Sequence, residues 1–271
     1  MEAEIKIRKM KIITLLTDFG SFYPAQMKGV ILSRLADKAQ DITFVDIAHD
    51  IPPQDVRAGA FALLSSVRYF PPGTIHIGVV DPGVGTERLG LVVMSGGQIF
   101  VGPDNGMLMP AARSLGAPGS PPQAYRIASF EALGLGLGSS PVSNTFHGRD
   151  VFAPVAAQLA LGQSPTGMGP RVRPKDLNFG EAKMTDRGVE ATIIYVDGFG
   201  NLILNMRKLP AFPVTLKGVK LKACRTYAQA RRIEPLITLG SHGFAEIAVN
   251  EGDAAEAFCL KAGDRIELEE I

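Results

Sequence analysis

The first half of the chain alternates short apolar runs with longer segments that are apolar on one side only. Residues 11–17 (KIITLLT), 42–47 (ITFVDI) and 74–80 (TIHIGVV) are rich in β-branched residues and nearly continuous in apolar character, the pattern of strands covered on both faces. Between them, residues 25–39 carry Met27, Val30, Ile31 and Leu35 at helical spacing, and residues 54–69 place Val56, Ala60, Leu63, Leu64 and Val67 on one side. Strand, helix, strand, helix, strand in this rhythm predicts a parallel sheet wrapped by helices. Residues 91–94 and 98–101 predict a hairpin or a continuation of that sheet, and 107–115 a helix. A further helix is expected over 150–161, with Phe152, Val155, Ala156 and Leu159 inward. The intervening stretch 116–143 is rich in Gly, Pro, Ala and Ser, with Leu-Gly repeated over 133–138, and is expected to run as a long surface excursion.

From 165 to 188 the pattern dissolves into proline, glycine and charge. Beyond it only short apolar runs recur, at 189–196, 202–206, 214–223, 245–249 and 265–268. The expected architecture is α/β: a parallel-sheet N-terminal domain over 11–170, a linker over 171–187, and a smaller all-β, barrel-like C-terminal domain over 188–271.

Composition narrows the function classes. With 271 residues, 46% hydrophobic and 20% charged, the chain is an ordinary globular protein with enough length for a sizeable core. A formal net charge of +1 argues against a field built for nucleic acid. No apolar run approaches the roughly 20 residues needed to cross a bilayer, and residues 1–10 lack a signal-peptide core. Cys224 and Cys259, the only cysteines, offer neither metal spacing nor a disulfide framework. A reduced, cytoplasmic setting without membrane or metal is the expectation.

Two segments carry the candidate chemistry. VVDPGVGTER (79–88) ends a strand on Asp81, bends through Gly83 and Gly85, and presents Arg88 seven residues after the acid. TFHGRD (145–150) sets His147 just ahead of a helix. An acid, a fixed cation and a base with a pKa near neutrality can together hold and activate water, if they converge. Asp18 and Asp81 both stand where a strand ends, the side of an open sheet at which ligands bind, although Asp also caps turns there. A carboxylate in that crevice can accept both hydrogen bonds of a ribose diol. In the second half, Asp197-Gly198-Phe199-Gly200-Asn201 reads either as a β-turn or as an adenine-reading loop, in which Asn pairs and Phe stacks. No zinc spacing and no Gly-x-Ser-x-Gly elbow is present, so metal and serine-nucleophile mechanisms lack support.

Taken in order, TDFG (17–20), MKG (27–29), IPPQDVRAGAF (51–61), VVDPGVGTER (79–88), VGPDNG (101–106), TFHGRDVFAPVAA (145–157), DGFGN (197–201), and GSHG with EIAVN (240–250) resemble one family. It is that of the S-adenosyl-L-methionine (SAM) hydrolases, or SAM hydroxide adenosyltransferases, related to fluorinases and chlorinases. The resemblance implies an α/β domain joined to a β-barrel, and a homotrimer binding SAM between the N-domain of one subunit and the C-domain of the next. Position by position, it assigns Asp81, Arg88 and His147 to a water-holding triad and Asp18 to the ribose diol. It assigns Asp197 and Ser241 to the methionine end, and Phe199 and Asn201 to the adenine pocket with Tyr227 as an aromatic wall. The implied reaction converts SAM and water to adenosine and L-methionine without a cofactor, and leaves open whether Asp81 or His147 takes the proton. Halide transfer to the same carbon and a non-catalytic SAM or adenosine sensor are the alternatives. Halogenating relatives replace the acid and histidine that this chain retains.

Overall fold

The computed structural model describes residues 10–128 and 141–271. They fall into two compact units, Met1–Leu177 and Asn178–Ile271. The Leu-Gly repeat at 133–138 and residues 1–9 lie outside the described residues.

The first unit carries β1 (Lys11–Thr17), α1 (Tyr23–Leu35), β2 (Ile42–Ala48), α2 (Val56–Ser66), β3 (Ile75–Val79), β4 (Gly90–Ser95), β5 (Gln98–Pro103), α3 (Met109–Leu115), β6 (Gln123–Arg126), α4 (Ala153–Ala160) and β7 (Arg171–Val172). Its sheet has the order β2-β1-β3-β5-β4-β6-β7. The first four in that order are mutually parallel, and β4, β6 and β7 extend the sheet antiparallel. The sheet is therefore mixed rather than wholly parallel, because the tight turn at Gly96-Gly97 folds β5 back on β4. Successive residues of β1 serve opposite faces: Leu15 joins the cluster of Met27, Ile31, Val155 and Leu159 from α1 and α4. Leu16 meets α2 at Gly59, where a Cβ would stand 2.8 Å from Met107 Sδ.

The expected excursion over 116–143 is corrected in part. Gln123–Arg126 is a strand paired with both β4 and β7, with Ala124 and Tyr125 buried. Four residues, with both central ones buried and no alternation, were too few to stand out in a Pro- and Gly-rich stretch.

The second unit carries β8 (Lys183–Thr185), β9 (Gly188–Val196), β10 (Leu202–Leu204), β11 (Val214–Leu216), β12 (Val219–Ala223), β13 (Pro235–Leu239), β14 (Ala245–Val249), the short helix α5 (Ala254–Phe258) and β15 (Arg265–Glu270). The order β10-β14-β13-β12-β11-β15-β9 closes on itself, since Leu202 pairs with Ile247 on one side and Val196 on the other. The result is a closed seven-stranded barrel, with β8 added at β9. Val189, Ala191 and Ile193 of β9 pack inside it with Leu216, Leu221, Ile237, Ile247 and Leu268. The run 214–223 is two strands, turned at Lys217 (φ 50°) and Gly218 (φ 77°). Only β12–β13 is parallel in this ring, which forces the longer connection carrying Tyr227.

Candidate active site

In the first unit, parallel pairing sets Thr17 opposite Val79, so β1 and β3 end level. Asp18 follows one and Asp81 the other, at the carboxyl edge of the sheet. Asp18 Oδ2 accepts the backbone N–H of Gln54 at 2.8 Å, and Gln54 itself has a left-handed backbone (φ 65°).

Asp81 and Arg88 are the two ends of one tight loop, held by Val84 N–H to Asp81 O and Thr86 N–H to Gly83 O. Their side chains are 4% and 6% exposed. Arg88 Nε lies 3.0 Å from each Asp81 oxygen, and a terminal nitrogen also donates to Oδ2. The guanidinium sits 5.2 Å from the ring centroid of Phe152, which is fully buried.

The same terminal nitrogen donates to Nδ1 of His147 at 2.8 Å. The three groups singled out in the sequence therefore form one chain, Asp81–Arg88–His147, with its second bond reaching across 59 residues of sequence. Because a guanidinium cannot accept, Nδ1 must, and the single ring proton of neutral His147 resides on Nε2. Burial, and then the charge of Arg88, hold its pKa below the ordinary histidine value, against the opposing pull of Asp81 and Asp150.

One close approach joins the two loops, and a buried carboxylate closes the second of them on itself. Gly85 (φ 76°) lies so close to Asn144 that a Cβ would be 2.3 Å from its carbonyl oxygen. Asp150, 2% exposed, accepts the N–H of Ser143 at 2.9 Å and the guanidinium of Arg149. His147 leads into a single wide π-type turn, Gly148–Phe152, before α4 begins.

In the second unit, Asp197, Phe199 and Asn201 share the β9–β10 loop. Asp197 Oδ1 accepts the N–H of Phe199 and of Asn201, each at 2.9 Å, and Oδ2 accepts the Asn201 side-chain amide at 2.9 Å. The turn-forming role of Asp197 is thus realised, and it leaves Phe199 81% exposed. Tyr227 is half-exposed and Ser241 exposed.

Glu246 did not stand out in the sequence. It lies within β14, 3% exposed, and one oxygen accepts the Tyr227 hydroxyl while the other lies 3.0 Å from His242 Nε2. His242 Nδ1 accepts the N–H of Phe244 at 3.1 Å, so Nε2 carries the proton and donates it to Glu246. Burial and the bond to Glu246 push the Tyr227 hydroxyl above its ordinary pKa. The signal that could have found Glu246 is a carboxylate inside an otherwise apolar strand run. Among the described residues no cluster of three or more His, Cys, Asp or Glu could hold a metal, and no helix is long and apolar enough to cross a membrane.

Residues 13–169 match the model of the SAM hydroxide adenosyltransferase N-terminal domain, and residues 191–267 that of the corresponding C-terminal domain. A Thermus thermophilus protein named (R)-S-adenosyl-L-methionine hydrolase is 38% identical over 266 residues, covering 96% of this chain and all of its own. A Methanocaldococcus jannaschii protein of the same name is 32% identical over 279 residues, 96% of each. A fluorinase from Nocardia brasiliensis is more distant, at 26% identity over 95% of this chain and 96% of its own. The crystal structure of a conserved protein from Thermotoga maritima superposes with a TM-score of 0.81 at 35% identity, over 94% of this chain and 99% of that one.

Proposed function

The chain belongs to the SAM hydroxide adenosyltransferase family, and we propose that it hydrolyses S-adenosyl-L-methionine to adenosine and L-methionine through water held by Asp81, Arg88 and His147. The single observation that carries this reading is the buried Asp81–Arg88–His147 chain. The relatives are named for the R epimer at sulfur, and that epimer is the proposed substrate. The reacting carbon, C5′, is not the stereocentre, so choice between epimers falls to the groups around the methionine end.

The chemistry suits the residues. Water forms a bond to C5′ as the C5′–S bond breaks, and its electron pair leaves on sulfur as the neutral thioether of methionine. The leaving group needs no acid and the reaction no cofactor. What it needs is water held in line and relieved of a proton. Arg88 favours developing hydroxide. His147, with its proton on Nε2, holds the water oxygen as a donor. Asp81 is then the member of the three with lone pairs to take the proton, which passes on to solvent. The same carboxylate disfavours a halide in place of water by like-charge repulsion.

The ribose diol is assigned to Asp18, the methionine end to Asp197 and Ser241, and the adenine to Phe199, Asn201 and Tyr227. A homotrimer, with each substrate enclosed by the first unit of one copy and the second unit of the next, is part of the same proposal. So is a cytoplasmic location, which the two free thiols of Cys224 and Cys259 fit. The test is turnover of separated R and S epimers followed by chromatography. Adenosine and methionine forming in equal amounts, faster from the R epimer, is the expected result; intact substrate in both would overturn the hydrolase reading, and equal rates the epimer assignment.

A further inference from the structure

Glu246 is a buried carboxylate whose two bonds tie separate loops to one strand. Tyr227 comes from the β12–β13 connection and His242 from the β13–β14 turn, next to Ser241. The turn is shaped around it: a Cβ at Gly240 would fall 2.3 Å from Glu246 Oε2 and 2.5 Å from the His242 ring. Asp197, in a third loop, lies close enough for its charge to act on the Tyr227 hydroxyl. Burying a carboxylate is costly unless its oxygens are satisfied, and here the donors are a phenol and an imidazole, both neutral. A barrel strand has no need of such a group for packing. What Glu246 alone does at that position is accept two donors at once. Glutamine reproduces this only in part: with its oxygen toward His242 Nε2–H, which the Phe244 bond keeps protonated, its amide nitrogen reaches Tyr227 as a donor, so the phenol must turn its own proton elsewhere and loses its charged acceptor.

We infer that Glu246 is a positioning residue for the substrate-facing end of the barrel, holding Tyr227 and the Ser241–His242 turn in the orientation that ligand binding uses. The inference rests on the assignment of Tyr227 and Ser241 to substrate made above. It extends that assignment to a residue that touches no substrate, and it gives His242 an internal role as the strut between Phe244 and Glu246.

The test is calorimetric titration of the full-length protein with adenosine, for the wild type, Glu246→Gln and Tyr227→Phe, each with its melting temperature. Nitrogen-detected NMR of the wild-type histidines provides a second readout, in which His242 is expected as the neutral Nε2–H tautomer. Losing the charged acceptor in Glu246→Gln, or the Tyr227 bond to it in Tyr227→Phe, is expected to weaken adenosine about fivefold in each variant, with Tyr227→Phe melting close to the wild type. Wild-type affinity in the folded variants overturns the inference. Should Glu246→Gln fail to fold, wild-type affinity in Tyr227→Phe, or an Nδ1–H tautomer at His242, overturns it equally. A wild type that binds adenosine yet leaves SAM intact contradicts the hydrolase reading, while the adenosine titration still decides this one.

Discussion

Arg88 donates to Nδ1 of His147 at 2.8 Å, and this one bond fixes which face of the imidazole is left for chemistry. The proton sits on Nε2, so the side of the ring turned away from Arg88 carries a donor, the property that the proposed role of His147 uses. Asp81 is gripped by the same guanidinium, with Arg88 Nε 3.0 Å from each of its oxygens.

If His147 acts as a donor, a donor of similar length can stand in for it. His147→Gln is expected to retain about tenfold more turnover than His147→Ala, whereas Asp81→Asn loses at least about a hundredfold. Steady-state kcat for the three variants checks this. Equal inactivity of the two His147 variants would identify the imidazole as the base.

Protonating His147 puts a second cation against Arg88 and removes the acceptor at Nδ1. Because burial and Arg88 hold its pKa below the usual histidine range, the acid limb of kcat/KM attributable to this group is expected to fall below about pH 6.5. A pH–rate profile between pH 4 and 8 measures it; an acid limb centred above that range contradicts the neutral tautomer.

His76 offers a stability test away from the site. It is fully buried, with Nδ1 bonded to Thr14 at 2.7 Å and Nε2 to Gln98 at 2.8 Å, and burial lowers its pKa to about 4. The folded state thus binds this proton less readily than the unfolded chain. Its stabilising contribution is complete above about pH 6.5 and is lost as pH falls toward 4, by about 2 kcal/mol at pH 5. Urea unfolding at pH 7 and pH 5 should show that loss, and His76→Gln should flatten it.

Gly85 tests the docking of the two catalytic loops. An alanine there needs a positive φ and room occupied by the Asn144 carbonyl. Gly85→Ala is expected to cost about 1–3 kcal/mol of stability and to lower kcat at least about tenfold by parting Arg88 from His147. Calorimetric melting together with turnover checks both.

Much of the first unit was legible because β1, β2 and β3 are continuous apolar strands between helices with a clear inner face. The barrel was legible as a set of short strands, yet β13 was missed: Pro235–Leu239 is five residues opened by a proline, with no alternation to mark it. Asp81 and Arg88 announce each other through one loop, but nothing in the spacing brings His147 to them. That approach depends on Gly85 against Asn144, a tertiary contact with no periodic trace, and on the local closure of the His147 loop by Asp150 on Ser143. Glu246 was hidden for a similar reason: its partners lie in two other loops, one of them 19 residues away.

The most direct test of the whole account is to run the reaction in ¹⁸O-water and analyse both products by mass spectrometry. The account requires one ¹⁸O in adenosine, at the 5′ oxygen, and none incorporated into methionine during turnover. Adenosine formed without the label, or label delivered elsewhere, would contradict attack of water on C5′.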